Sequence, residues 1–177
     1  MCALEVAPAI GTDRLVLRRP AKGDAEALAA LANDLGVAGM LSSMPHPYTR
    51  GHADEFLGRV AGLDPRTHAL FAVEHRQLGL IGTLGLEEKR PGRPEIGYWI
   101  GRPFWGRGYA TEAVNAALKW AKADWRRKVV WAGHFTDNRA SGQVLCKAGF
   151  LYTGDVELRD CPARGAQVPT RMMVWLA

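Results

Sequence analysis

Alternating apolar and polar positions predict a series of short strands. The run RLVLRRP (residues 14–20) alternates and stops at a proline, so we expect the first strand there. Three more strand-like runs follow in succession: HALFAVEH (68–75), LGLIGTLGLEE (78–88) and PEIGYWIG (94–101). Short polar or Pro/Gly turns separate them, and this succession predicts an antiparallel meander.

Helical periodicity is clearest in the stretch RPFWGRGYATEAVNAALKWAK, residues 102–122. Val114, Ala117, Leu118 and Ala121 recur at i, i+3, i+4 and i+7, which predicts one buried helix face. Two earlier helices are expected: GDAEALAALAND, with an acidic N-cap, and HADEFLGRVAGL. The Gly-, Pro- and Ser-rich segment 36–56 reads as a loop leading into the second of them.

The last third of the chain predicts further alternation of strands and helices. VVWAGHF is expected as a strand, DNRASGQVLCKAGF as a helix, and FLYTGDVEL and TRMMVWLA as two final strands joined by the flexible stretch RDCPARGAQVP. The whole order predicts one α/β domain over residues 1–177. Its mixed, mostly antiparallel sheet should have about seven strands and about four flanking helices, and become parallel where the long helix crosses over.

Composition narrows the classes of function. The chain is 47% hydrophobic and 23% charged, with a net charge of +5, which suits an anionic ligand. Its basic residues are scattered and form no stripe, so a nucleic-acid binder is not expected. No apolar run approaches the roughly 18 residues that a membrane helix needs, and the first residues lack a basic n-region. We therefore expect a cytoplasmic protein without a membrane partner.

The cysteines favour neither a disulfide framework nor a metal site. Cys2, Cys146 and Cys161 are widely separated and have no CxxC spacing or nearby histidine pair. We expect free thiols and no bound metal.

Glycines at the start of the long helix predict a phosphate-containing ligand. A helix N-terminus presents unpaired N–H groups and a partial positive charge, and Gly106 and Gly108 leave the backbone there open to an anion. From spacing alone, a tight connection remains the alternative. Neither GxxxxGK[ST] nor a GxGxxG followed by a distant acid is present.

The motif pair EIGYWIGRPFWGRGYATEAV and TDNRASGQVLCKAGF resembles the GNAT superfamily of N-acetyltransferases, and within it the branch of ribosomal-protein N-terminal acetyltransferases. TDRLVLRRP and GLIGTLGL also match, so the resemblance covers most of the chain. It implies acetyl-CoA as co-substrate and a sheet that splays between its fourth and fifth predicted strands. A non-catalytic, regulatory CoA-binding module remains the alternative.

The resemblance also implies which residues bind the co-substrate. Asn138 should lie beside the pantetheine arm, although a plain helix cap would also explain it. Leu145 stands where many members have a tyrosine that protonates the departing thiolate, so that acid is missing. Main-chain N–H groups of the loop should bind the pyrophosphate, with Trp105 in place of the usual glutamine or arginine; the matching residues are Trp105, Gly106, Arg107, Gly108, Tyr109, Ala110 and Thr111.

Acetyl transfer to an amine needs a proton acceptor, a stabilised oxyanion and a proton for the thiolate. Glu95 is the first candidate for the base, with Glu87, Glu88 and His134 as weaker ones. Ser141, one helical turn after the candidate pantetheine residue, could relay a proton to sulfur. Backbone N–H groups near Trp99 and Ile100 are the expected oxyanion donors, and these two residues are counted with the co-substrate site.

The acceptor is an amine of undetermined kind, either a protein N-terminal α-amine or a small molecule. His46 and Tyr48, in the loop SSMPHPYT, and His134 are the candidate contacts. The transferred group could be acetyl or a longer acyl. The last strand, TRMMVWLA, could pair between subunits of a homodimer.

Overall fold

The computed structural model describes residues 9–177. Every long element expected from the pattern is present within a few residues of its predicted place. The strands are β1 (Ile10–Gly11), β2 (Leu15–Arg18), β3 (His68–His75), β4 (Gly79–Arg90), β5 (Arg93–Ile100), β6 (Val129–Phe135), β7 (Leu151–Cys161) and β8 (Ala166–Leu176). The helices are α1 (Ala25–Ala32), α2 (Leu35–Ala38), α3 (Arg50–Ala61), α4 (Tyr109–Ala123) and α5 (Arg139–Lys147).

One mixed sheet joins all the strands, in the order β1-β2-β3-β4-β5-β6-β8-β7. Strands β1 to β5 form the antiparallel meander that the sequence predicts. Helix α4 then crosses over to β6, which runs parallel to β5. The predicted splay of the sheet lies at this crossover, since the extra strand β1 makes the two strands concerned β5 and β6.

Two apolar clusters cover opposite faces of the sheet. Side chains alternate between the faces, so Ile96 and Ile100 pack with α4 and α5, whereas Trp99 packs with α1 to α3. The predicted apolar face of α4 is confirmed, because Val114 and Ala117 are fully buried. Two helical layers therefore enclose the middle of β5 from both sides.

Three predictions about local structure are wrong. The stretch RDCPARGAQVP is not a flexible connector, because β7 continues to Cys161, a 3-10 turn follows, and β8 begins at Ala166. The segment expected as a loop contains the short helix α2, whose N-cap Asp34 accepts a hydrogen bond from Gly36 N–H at 2.7 Å. Asp24 does not cap α1; its carboxylate accepts from Ala21 N–H and binds Arg18 instead.

The strand expected at a subunit interface lies inside the sheet. Strand β8 pairs with β6 on one side and β7 on the other, so its backbone cannot bind a second chain. The edge strand next to β8 is β7, which exposes Leu151, Val156 and Leu158. The prediction that this strand pairs between subunits is therefore wrong, and a homodimer itself stays a prediction.

Cys146 is exposed and Cys161 buried, both as free thiols, while Cys2 falls outside the described residues. Over residues 9–177, we find no helix with the length and apolar character of a membrane span. The same residues contain no cluster of three or more metal-ligating side chains.

Candidate functional site

Strands β5 and β6 separate and leave a cleft between them. They pair only at Glu95–Trp131 and Ile96–Ala132, so the rest of β5 has no neighbour on that side. A cavity of about 660 Å³ occupies this opening, and we call it the cleft. The glycine loop, the start of α5 and the 36–42 segment complete its lining.

The glycine loop lies at one end of the cleft. Gly106 and Gly108 have φ angles of 72° and 78°, in the left-handed region that favours glycine. Gly108 is the N-cap of α4 and provides no side-chain cap, and the first turn closes only with the bond from Glu112 N–H to Gly108 O. The N–H groups of Tyr109 to Thr111 therefore have no acceptor within the helix. Such a terminus is suited to bind phosphate.

Side chains around the loop fix its position. Arg14 donates to Glu112 Oε2 through Nε at 2.7 Å and to the Arg107 carbonyl through Nη1 at 2.9 Å. Burial alone would raise the pKa of Glu112, but the hydrogen bonds of Thr12 and Arg14 outweigh it and lower that pKa. The carboxylate thus stays ionised and ties the loop to the β1–β2 turn.

Trp105 has a structural role at this place. Its indole Nε1–H donates to the Ile100 carbonyl at 2.6 Å, and it holds the loop against the end of β5. The substitution of the usual glutamine or arginine thus leaves the backbone amides of the loop in place. The Arg107 side chain is exposed at the rim.

The start of α5 forms the other wall of the cleft. Asn138 caps α5, because its Oδ1 accepts from Ser141 N–H at 3.2 Å, and both residues line the cavity. The Ser141 hydroxyl lies 3.0 Å from the Tyr98 hydroxyl of β5, and burial raises the pKa of Tyr98 to about 12. Leu145 is fully packed in the core. Tyr98 and Ser141 are thus a pair of hydroxyls within the cleft.

The backbone of β5 directs alternate N–H groups into the cleft. Gly101 N–H donates to Ile81 O at 2.8 Å, so its polar groups face β4. Trp99, two residues earlier, has the same orientation, and its carbonyl lies against Gly82. The N–H groups of Tyr98 and Ile100 therefore face the cleft. Of the two predicted oxyanion donors, Ile100 is retained and Trp99 is replaced by Tyr98.

Glu95 lies at the inner end of the cleft within an ion-pair network. Its carboxylate binds Arg159 of β7 through two hydrogen bonds and Lys89 at 3.1 Å. Burial would raise the pKa of Glu95, but the hydrogen bonds and charge of these two cations lower it below its usual range. Glu157 also binds Arg159, at 3.0 Å. Glu95 is therefore an ionised, partly neutralised carboxylate.

His134 has both ring nitrogens engaged. Nδ1 lies 2.8 Å from the Phe135 carbonyl, which can only accept, so Nδ1 carries a proton. The other nitrogen, Nε2, lies 3.0 Å from the Tyr152 hydroxyl and accepts from it when the ring is neutral. A Cβ at Gly142 would lie 2.9 Å from that nitrogen, so the glycine makes room for the pair. His134 thus lines the cleft with both nitrogens in contact with protein groups, and its roles as base and acceptor contact stay predictions.

A second cavity, of about 610 Å³, opens on the opposite face of β5. Tyr48 and Glu87 line it, and Glu95 lines both cavities. His46 is exposed and lines neither of them. Glu88 pairs with Arg127 at 3.1 Å and also lies outside both linings. We call this second space the acceptor cavity because Tyr48, a candidate acceptor contact, lines it.

Sequence reasoning missed three residues of the site. The sequence pattern marks Tyr98 only as a strand residue, because it does not show which β5 residues have no neighbouring strand on one side. Lys89 of β4 and Arg159 of β7 bind Glu95, and the pairing with Arg159 depends on the order of strands in the sheet. One signal is present in the sequence. In EIGYW the acid alternates with a glycine and a tryptophan, which places these three residues on the same face of the strand.

Comparisons with known proteins agree with this geometry. The sequence model described as acetyltransferase (GNAT) domain matches residues 14–151. The uncharacterized N-acetyltransferase YoaA of Bacillus subtilis is 31% identical over 157 residues, which cover 83% of this chain and 85% of that protein.

Solved structures share the fold at low identity. One is RimL, a ribosomal L7/L12 alpha-N-protein acetyltransferase in complex with coenzyme A, with a TM-score of 0.82 and 18% identity over 96% of this chain and 98% of that one. Another is the spermidine N-acetyltransferase of Vibrio cholerae in complex with CoA and spermine, with a TM-score of 0.78 and 20% identity over 93% and 96%. The named acceptors of these two proteins differ, so the fold alone does not specify an acceptor.

Proposed function

The chain belongs to the GNAT acetyltransferase family, and from this premise we propose that it transfers the acetyl group of acetyl-CoA to a primary amine by direct attack in a ternary complex. The resemblance of its paired motifs to the ribosomal-protein branch favours an α-amine as acceptor. When bound, acetyl-CoA would supply the thioester carbon that the amine attacks.

One observation carries the proposal. The only long unpaired side of β5 faces, across the same cleft, the uncapped start of α4 and the start of α5. The residues present fit the co-substrate, because positive-φ glycines expose amides for a pyrophosphate and free strand N–H groups flank an extended arm. We assign to Asn138, which lines the cleft, the contact with that arm.

The chain's own groups divide the proton chemistry between the two faces of β5. At neutral pH the ionised Glu95 can accept an N–H of the incoming amine where the two cavities meet. Its pairing with Arg159 makes it a weak proton acceptor, so we assign it the orientation of the amine and of a water that removes the proton. On the other face, the Tyr98 and Ser141 hydroxyls would hold the proton that the thiolate needs. The N–H groups of Ile100 and Tyr98 would stabilise the oxyanion.

The test is calorimetric binding of acetyl-CoA and CoA to the wild type and Gly108→Asp. Aspartate tolerates a positive φ and is favoured at an N-cap, so the variant should fold. Its carboxylate would compete for the amides that a pyrophosphate needs, and we expect the dissociation constant to rise at least about tenfold.

Two controls isolate the cause of that loss. Gly108→Asn keeps the shape without the charge and should bind more tightly than the aspartate variant. Gly92→Asp places the same residue at a φ of 72° in a turn outside the cleft and should bind as the wild type does. Equal affinity of Gly108→Asp and wild type would refute the assignment of the loop. A panel of amines read by thiol release then tests transfer itself.

A further inference from the structure

The acceptor cavity indicates which amine the enzyme takes, an inference that rests on the proposed function. We propose that it selects an α-amine with a bulky apolar side chain and a neutral carbonyl group, in preference to a polyamine. A hydrophobic N-terminal residue of a peptide and the free amide of that residue share this chemistry. The cavity lies between α3 with the 41–48 segment and the face of β3 to β5, and it meets the cleft at Glu95 to Trp99.

The floor of the acceptor cavity is hollow because two glycines face each other across strands. Gly85 of β4 pairs directly with Gly97 of β5. A Cβ on Gly85 would lie 2.6 Å from Leu70 Cδ1, so Leu70 covers that glycine. A Cβ on Gly97 would meet nothing within 4 Å. Space for a substrate side chain is therefore available directly above Gly97, beside Glu95.

Apolar side chains form part of the walls of this hollow. Helix α3 and the segment before it contribute residues that pack against α1 and Trp99. Because burial of apolar surface is favourable in proportion to its area, such walls select a bulky hydrocarbon or aromatic group. The apolar and aromatic lining residues are Leu28, Met44, Tyr48, Phe56, Val60 and Trp99.

The charges in the cavity do not suit a polyamine. Two of its three carboxylates already have a cationic or imidazole partner: Glu95 binds Lys89 and Arg159, and Glu87 lies 3.5 Å from His68 Nε2. Only the third, Glu55, has no ion pair among residues 9–177, and Arg59 lines the same cavity. A substrate with several ammonium groups would add them to a lining that already contains Lys89 and Arg59. In that lining, counted over the described residues, only Glu55 and Glu87 have no fixed cationic partner. A single neutral amine needs only a hydrogen-bond acceptor, which the Glu95 carboxylate provides.

Two hydroxyls face this space without a partner. Within the described part of the chain, neither the Tyr48 hydroxyl nor the Thr83 hydroxyl makes a hydrogen bond, although their residues are only 9% and 6% exposed. Neither oxygen is among the fully buried, unpartnered atoms of residues 9–177, so both are accessible from the cavity and free to donate to a bound group. An amide carbonyl next to the amine is the acceptor they would suit.

The experiment measures kcat/KM by thiol release from acetyl-CoA with matched amines. Phenylalaninamide and a short peptide that begins with phenylalanine should each exceed glycinamide and spermidine by at least about tenfold. The ratio between the first two tells whether the source is a free amide or a peptide. Phenethylamine, which lacks the carbonyl, should fall between the two groups.

Two variants test the two parts of the inference. Gly97→Ala fills the hollow and should lower kcat/KM for phenylalaninamide at least about fivefold with little change for glycinamide. Thr83→Val should raise KM for phenylalaninamide about threefold or more and leave phenethylamine within about twofold. Calorimetry with acetyl-CoA should give wild-type affinity for both variants, which excludes damage to the cleft.

The outcomes separate this inference from the function on which it rests. Acetylation of spermidine at or above the rate of phenylalaninamide would overturn the inference and leave the transferase standing. Equal losses for both amides in Gly97→Ala would overturn the assignment of the hollow. Binding of acetyl-CoA with no thiol release from any amine would overturn the proposed transfer and the inference together.

Discussion

Glu95 and Arg159 form an ion pair whose energetic coupling can be measured. Their side chains are 12% and 17% exposed and share two hydrogen bonds. The perturbation is a double-mutant cycle of Glu95→Gln, Arg159→Gln and the double variant. In Arg159→Gln the carboxylate keeps Lys89, and in Glu95→Gln the guanidinium keeps Glu157, so neither single variant leaves its charge without a partner.

The expected coupling lies between two limits. Exposed ion pairs couple by about 0.2–1 kcal/mol, and breaking a fully buried pair costs about 3–5 kcal/mol. A mostly buried pair with a second cation in place should couple by about 1–3 kcal/mol at pH 7. The assay is urea unfolding of the four proteins from pH 7 down to pH 3, each read as a free energy of unfolding.

The pKa of Glu95 determines in which direction its contribution to stability changes with pH. The pKa of Glu95 is lowered in the folded protein, so its ionised form stabilises the fold above the pKa of the unfolded chain. That stabilisation should be complete at pH 7 and disappear as the pH falls through the lowered pKa, together with the coupling. A coupling below about 0.5 kcal/mol at pH 7, or one that does not change down to pH 3, would refute this account of the network.

The remaining predictions concern the cleft and the core. Tyr98→Phe should lower kcat by about ten- to a hundredfold and leave the affinity for acetyl-CoA unchanged, if its hydroxyl acts with Ser141 as proton source. Ser141→Ala should then add little to it in the double variant, and additive losses in stopped-flow or steady-state rates would argue against a joint role. Leu84→Ala, at a fully buried position, should lower the free energy of unfolding by about 2–5 kcal/mol in urea titrations, and a loss under about 1 kcal/mol would contradict its place in the core.

Periodicity predicts the fold well because most of its signals are local. The alternation in β3 to β5 and the spacing of apolar residues in α4 each decide which face is buried without knowledge of the remaining chain. The errors arise where distant residues decide. Asp24 would suit an N-cap, but Arg18 lies close enough in the fold to bind its carboxylate. Strand β8 reads as a terminal strand, yet β7 folds back outside it.

The candidate site also has parts that can be predicted from nearby residues and parts that depend on distant ones. The geometry of the glycine loop could be predicted because it is decided within a few residues, and glycine in the sequence is typical of a positive φ. The neighbours of Glu95 could not be predicted, since Arg159 reaches it only after β7 has been placed beyond β8 and β6. A base assigned from sequence thus becomes, with its partners known, an ionised carboxylate of low proton affinity.

The acceptor cavity illustrates why the kind of substrate is harder to predict from the sequence than the fold. Its hollow needs Gly85 and Gly97 on neighbouring strands in one register, since a shift by a single residue would turn these positions to the other face. Nothing in either strand alone distinguishes a glycine that makes room for a ligand from one covered by Leu70. Substitution at Gly97 therefore changes the space offered to the acceptor, whereas the same change at Gly85 would displace a core side chain. The two glycines can be told apart only in the folded sheet, where Gly97 borders open space and Gly85 borders Leu70.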